Sequence, residues 1–314
     1  MYKLPKKRLA AAAEKKPVPP PATTDPIRVA EDVRLSAVLW GDPHVSDYLL
    51  SRTRNTHRAA LDVANARDTL DVLTIVGDIT ENGKPSEYRM VLDDMDLMRD
   101  KVKHFVPASG NHDVRLRRNR GTVRRFADFC AQANPNLRLD KLYYTYTVSG
   151  YTFIVLGTVR GTFEEAVIDR AELYWFNNAL KNATKDGKPA FVLLHQPLKL
   201  THKLPDSWNS MDHKRGSVGA QSENLKNIMN KYRNVFLFTG HLHAGLGADN
   251  FEEIGAIHSV NIPSVGVMSG MGNDGYLAEG TGYIMEVRAD SVRFRARDFA
   301  RGEYLPRFDK EYKL

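Results

Sequence analysis

Six short, predominantly apolar runs, five of which are followed within a few residues by a histidine, aspartate or asparagine, limit the architectures open to this chain more than any other feature. They occupy 35–40, 72–76, 104–107, 153–156, 191–194 and 235–238, and are rich in Val, Ile, Leu and Phe. A strand apolar at every position, not at alternate ones, is covered on both faces and so lies inside a layered α/β structure. Helical patterning fills the intervals at 46–68, 86–101, 121–133, 169–182 and 221–232. The fourth starts at Asp169 with Glu172 three residues on, a capping-box arrangement. Two hairpins break the alternation: 143–148 with 151–156 across Ser149-Gly150, and 283–288 with 291–297 across Ala289-Asp290. The expectation is a single α/β sandwich domain with mixed sheets over 31–314, without internal repeats.

The residues that follow the runs carry the chemistry. Gly41-Asp42-Pro43-His44 follows the first, Gly77-Asp78 and then Glu81-Asn82-Gly83 the second, and Gly110-Asn111-His112-Asp113 the third. His195-Gln196-Pro197 follows the fifth and Gly240-His241-Leu242-His243 the sixth. The carboxyl edge of an α/β sheet is where ligands bind. Imidazole, carboxylate and amide oxygen together suit divalent metal ions, and the absence of cysteine from the set argues against a structural zinc site. Asp-x-His and His-x-His, if extended, present both members of each pair on one side. A lone His-x-His or Gly-Asp is an incidental pair or a turn; five fragments in order, each after a strand, are a constellation.

The net charge of +7 raises the question of nucleic acid, and its distribution answers it. Residues 1–24 hold six basic residues against Glu14, and the remainder has 39 basic against 37 acidic. The body is nearly neutral, which argues against a nucleic-acid partner. Residues 1–30 are expected to be a disordered basic, proline-rich tail around Lys16-Pro17-Val18-Pro19-Pro20-Pro21. No run approaches the roughly 18 apolar residues of a membrane span, and 9–13 is shorter than the roughly 7–15 residues of a signal-peptide core. Cys130 is the single cysteine, so no intrachain disulfide forms. It falls on the apolar face 126, 129, 130, 133 and reads as a small buried hydrophobe. Lack of disulfides fits a reducing compartment, and a cytoplasmic location is the expectation.

The ordered set Asp42-x-His44, Gly77-Asp78, Gly110-Asn111-His112-Asp113, His195 and Gly240-His241-x-His243 resembles the calcineurin-like metallophosphoesterase superfamily over about 35–243. The resemblance implies a four-layer αββα sandwich of two mixed β-sheets flanked by helices. It implies two divalent metal ions (Mn, Fe or Zn): Asp42, His44 and His243 on one, Asn111, His195 and His241 on the other, and Asp78 bridging them. It further implies hydrolysis of phosphate esters by a hydroxide that the metals activate, with His112 as proton donor to the leaving group and Asp113 orienting His112.

Departures narrow the substrate class. Asn82 and Asp113 stand where the resembling serine/threonine protein phosphatases carry arginine and glutamate, and His112 is retained where lipid A pathway hydrolases carry arginine. About 70 residues follow His243, too few for the second domain of exported 5′-nucleotidases or the extra segments of double-strand-break nucleases. What remains is similar to compact phosphodiesterases such as the class III cyclic-nucleotide enzymes, the diester being favoured, with a small phosphate ester, nucleotides among the candidates, as substrate. A phosphomonoesterase of the same fold and a non-catalytic metal-binding scaffold are the alternatives. Arg115, Arg117, Arg118, Arg120, Arg124 and Arg125 read equally as a polyanion clamp or a solvated face. His57, His104 and His258 are expected to be structural, the loop 198–215 with His202 to be ordinary surface, and Gly270, Gly272 and Gly275 to form a turn. The sequence does not set the oligomeric state.

Overall fold

A computed structural model describes residues 25–114, 120–158, 164–203, 216–267 and 279–314. The apolar runs become strands, and the strands form two sheets. In the seven-stranded sheet, β1 (Leu35–Trp40), β2 (Leu70–Ile75) and β3 (Val102–Phe105) run parallel. The hairpin β10 (Thr281–Val287) and β11 (Ser291–Asp298) joins β1 antiparallel, and the two short strands β12 (Glu303–Tyr304) and β13 (Lys310–Lys313) close its outer edge. In the six-stranded sheet the hairpin β4 (Tyr144–Val148) and β5 (Tyr151–Val155) leads to parallel β6 (Ala190–Leu193), β7 (Val235–Thr239) and β9 (Ile257–Asn261), with β8 (Phe251–Ile254) antiparallel at the edge. Both sheets are mixed, as expected.

Alternation along the second sheet reveals the layers. Phe153, Val155, Phe191, Leu193, Phe236 and Phe238 point into a core shared with the first sheet. Their neighbours Ile154, Val192, Leu194, Val235 and Leu237 point the other way, onto Phe176 and Leu180 of α5 (Arg170–Ala183) and Leu225 and Met229 of α6 (Ser222–Met229). The shared core also takes in Ala59, Ala60 and Val63 of α1 (Leu50–Ala64), Tyr88, Val91 and Leu92 of α2 (Pro85–Met98), and Phe126, Phe129 and Cys130 of α4 (Arg120–Ala133). Between the sheets Phe294 of β11 lies 5.9 Å, centroid to centroid, from both Phe236 and Phe238, and Phe251 lies 5.3 Å from Tyr283. Two-face burial thus has its physical cause: each central strand is covered by helix on one side and by the other sheet on the opposite side.

The tail boundary shifts. Residues 1–24 lie outside the described residues, whereas 25–30, expected to be tail, pack on the body. Ile27 is fully buried, Arg67 N–H donates to its carbonyl at 2.9 Å, and Val29 N–H donates to Asp68 at 3.0 Å. Arg297 Nη2 also donates to the Asp25 carbonyl at 3.0 Å, so one apolar side chain and several hydrogen bonds dock the segment. Cys130 is buried, as expected. Among the described residues no helix is long and apolar enough to cross a membrane.

Candidate metal centre

Every residue expected to ligate metal follows the carboxyl end of a strand: Asp42 and His44 after β1, Asp78 after β2, Asn111 after β3, His195 after β6, His241 and His243 after β7. Two of these turns depend on glycine because backbone and ligand approach closely. A Cβ on Gly110 would strike Asp78, and one on Gly240 would stand 2.6 Å from Asp42 Oδ2. The expected extended geometry of the two pairs is overturned. Asp42 (φ 47°), His44 (46°), His241 (71°) and His243 (51°) all have left-handed backbones, as does Asp78 (47°). Aspartate and histidine tolerate that region better than most residues, at roughly 1–2 kcal/mol each. Its recurrence at five ligands is strain concentrated at a functional site. The turn lets His241 and His243 serve different groups, which an extended pair would not.

Asp42, His44, Asp78 and His243 form one group of converging donors, and Asp78, His195 and His241 a second. In the first, His44 Nε2 faces His243 Nε2 at 2.9 Å and Asp78 Oδ2 at 3.4 Å, while His243 Nε2 lies 3.3 Å from Asp42 Oδ1. In the second, His195 Nε2 lies 3.1 Å from Asn111 Oδ1, 3.2 Å from His241 Nδ1 and 3.2 Å from Asp78 Oδ2. Asp78 Oδ2 is thus common to both. The set passes a chemical test for two cations: imidazole lone pairs aimed at one another have little to gain without a shared positive charge, and carboxylates this deeply buried need one. Asp42, Asp78, Asn111, His44 and His195 are each at most 2 % exposed.

The ionisation pattern agrees. Burial would lift Asp78, yet the neighbouring His195 and His112 hold its carboxyl well below the ordinary range. Burial would lower His195, but the charges of Asp78 and Asp42 push it up to about 10, a measure of how strongly the two carboxylates favour positive charge at this point. Burial, then the His195 charge, presses His241 down to about 3, and burial also lowers His44, so both shifts favour the ring form that has a lone pair to offer.

The surrounding groups orient the donors. His195 Nδ1 donates to the Val76 carbonyl at 2.8 Å, which leaves Nε2 as the ligand atom. His44 Nδ1 bonds Glu81 Oε2 at 2.8 Å, and Arg52 pairs with the same oxygen at 2.5 Å. A carboxylate behind a ligating imidazole fixes its tautomer and strengthens it as a donor. Both oxygens of Asp42 accept the His241 N–H, at 2.9 and 3.0 Å, tying the first ligand segment to the last.

His112 lies at the rim, edge-on to His44 with ring centroids 4.4 Å apart. Its partner corrects an expectation. Asp113 does not touch the ring: its carboxylate accepts the N–H groups of Ile79, Thr80 and Gly110 and the Thr80 hydroxyl. His112 Nδ1 instead donates to the Glu81 carbonyl at 2.9 Å, with Glu81 Oε2 3.6 Å away. Consecutive residues of the turn α3 (Asn111–Val114) project about 100° apart, so sequence adjacency to His112 turns Asp113 inward. Burial and the Asp78 charge push Asp113 up to about 6.

Sequence reasoning assigned no role to Glu81, Arg52 or Glu164. Glu81 had a signal, lying three residues beyond Asp78 in the same segment; Arg52, on α1, and Glu164, beyond β5, had none. Of the arginine run, Arg115, Arg117 and Arg118 lie outside the described residues, as does the side chain of Arg120. Arg124 extends into solvent opposite Asp128, and Arg125 Nε donates to the Gly83 carbonyl. His57 pairs with Asp94, His104 with Tyr146 and His258 with Glu253, all outside the centre. His202, expected on the surface, is buried, with its ring bonded to the Asp249 carbonyl and Ser259. Residues 204–215 and 268–278 lie outside the described set.

Comparison with known proteins places this arrangement. A family model described as calcineurin-like phosphoesterase matches residues 36–245. Among solved structures, a dimetal phosphatase from Danio rerio is similar with a TM-score of 0.58 at 11% identity, covering 90% of this chain and 99% of that one. A purple acid phosphatase from yellow lupin (Lupinus luteus) seeds is similar with a TM-score of 0.54 at 11% identity, covering 88% of this chain and 53% of that one. Both likenesses are of fold. A search of the curated proteins finds no match.

Proposed function

Because the chain belongs to the calcineurin-like phosphoesterase family, and is thereby a metal-dependent phosphoric ester hydrolase, we propose that it hydrolyses small phosphodiesters at the paired donor groups beyond β1, β2, β3, β6 and β7. The observation that carries the reading is one carboxylate oxygen, Asp78 Oδ2, placed 3.4 Å from His44 Nε2 and 3.2 Å from His195 Nε2. Asp42, His44 and His243 would hold one cation, Asn111, His195 and His241 the other, and Asp78 both. When bound, the pair would supply Lewis-acid stabilisation of phosphoryl oxygens and a water acidified toward neutrality.

The chain's own groups divide the remaining work. His112, oriented through Nδ1 by the Glu81 carbonyl, presents Nε2 to the leaving oxygen and donates its proton there. Asp113 holds the segments of Asp78 and Asn111 together through its three backbone bonds. Retention of Asn111-His112 favours a diester, as in the class III cyclic-nucleotide enzymes the sequence resembles, and nucleotides are the first esters to try.

Bis-p-nitrophenyl phosphate and p-nitrophenyl phosphate, assayed with added Mn²⁺ on wild type and Asp78→Ala, test the proposal. The expected result is metal-dependent turnover of the diester, reduced at least 100-fold in the variant. A large monoester preference overturns the diester assignment. Folded, metal-loaded protein inert toward every ester would make the centre a scaffold.

A further inference from the structure

One carboxylate at the second donor group lies outside every motif. Glu164 follows β5 in the chain, and its Oε2 accepts a hydrogen bond from Asn111 Nδ2 at 3.1 Å. The same oxygen stands 3.7 Å from His241 Nε2, within ion-pair reach though beyond hydrogen-bond length. Its backbone carbonyl accepts from Gln196 Nε2 at 3.0 Å, which ties it beside His195. The Glu164 side chain is 21% exposed, so it edges the site without being sealed into it.

The two side chains it reaches are ambiguous ligands. An asparagine amide can present oxygen or NH2 to a cation, and only the oxygen binds. A neutral imidazole can carry its proton on either nitrogen, and only the bare one binds. A negative oxygen on Asn111 Nδ2 turns Oδ1 inward, toward His195 Nε2. A negative charge on the Nε2 side of His241 draws the N–H there and leaves Nδ1 bare, and Nδ1 is the atom that faces His195 Nε2 at 3.2 Å. One oxygen therefore settles both choices in favour of the same ion. We infer that Glu164 is a positioning residue of the second cation site, fixing the Asn111 amide and the His241 tautomer for metal binding. Glu81 stands in the same relation to His44 on the first site, so each half of the centre has its own orienting carboxylate.

The inference rests on the two-cation reading above. Its test is Mn²⁺ binding by the full-length apoprotein, followed by titration calorimetry and by electron paramagnetic resonance, for wild type, Glu164→Ala and Glu164→Gln. Wild type should bind two ions and give the spectrum of a coupled pair. Glu164→Ala should bind the first ion unchanged and the second roughly 10- to 100-fold more weakly, with the spectrum of an isolated ion at intermediate metal. Glu164→Gln keeps an acceptor for Asn111 but no charge for His241, and should fall between. It also serves if the alanine variant misfolds. Second-site affinities equal to wild type in the variants overturn the inference and leave the hydrolase reading standing. Wild type that binds fewer than two ions overturns both.

Discussion

At the scale of single residues, the candidate site is a set of orientation problems solved by carboxylates behind the donors. Glu81 is the most economical, since its side chain holds His44 while its carbonyl holds His112. Replacing it with glutamine keeps the size and removes the charge shared with Arg52. Glu81→Gln should lower kcat roughly 10- to 100-fold with a small change in KM, as initial-rate kinetics at saturating Mn²⁺ would show; wild-type kcat would deny it the role. All seven expected metal ligands converge because their types and their places after strands are written in the chain. The identities of the groups behind them are not. Whether Glu81, Arg52 or Glu164 reaches a ligand depends on where a side-chain atom falls after helices and loops have packed. Asp113 shows the reverse error: a neighbour in sequence is turned away by the local helical geometry.

Elements were legible where burial is two-sided and obscure where it is not. Strands β1, β2, β5, β6 and β7 and both expected hairpins follow from apolar runs and turn residues. Strands β8, β12 and β13 escaped notice because Phe251–Ile254, Glu303–Tyr304 and Lys310–Lys313 are short edge segments mixing charge with one or two apolar residues. Helix α1 starts at Leu50, not at 46, because the Ser46 hydroxyl accepts the N–H groups of Tyr48 and Leu49 and makes a turn first. Helix α5 keeps half of its expected box: Asp169 accepts Glu172 N–H, but the Glu172 side chain accepts Gly157 N–H at 2.9 Å instead of returning to the cap. Burial pushes that carboxyl from 4.5 up to about 8. The unfolded chain releases this proton near 4.5 while the native chain keeps it to about 8, so the contribution is whole below the lower value and is lost as pH rises through the higher. Glu172→Gln, which retains an acceptor for Gly157, should remove the slope. Thermal melts from roughly pH 5 to 8 should show the variant gaining steadily on wild type, by on the order of a few kcal/mol at the upper end; parallel curves would refute the buried neutral carboxyl.

For the whole molecule, the four-layer sandwich follows from strands that need cover on both faces, and the inter-sheet contact is largely aromatic. Phe294, fully buried, meets Phe236, Phe238 and Phe251 of the opposite sheet as well as Tyr283 and Tyr312 of its own. Phe294→Ala should cost about 3–5 kcal/mol of stability, measured by denaturant titration, and should leave turnover intact at temperatures where the variant remains folded. A cost below about 1 kcal/mol would mean that the interface collapses around the cavity.

The division of donors between the sheets bears on how the protein is made. Asp42, His44, Asp78 and Asn111 come from the first sheet, and His195, His241 and His243 from the second. Neither donor group is whole until the turn after β7 has been made, since one requires His241 and the other His243. A nascent chain thus exposes acids and imidazoles without an assembled pocket, and the choice of ion falls to the finished fold.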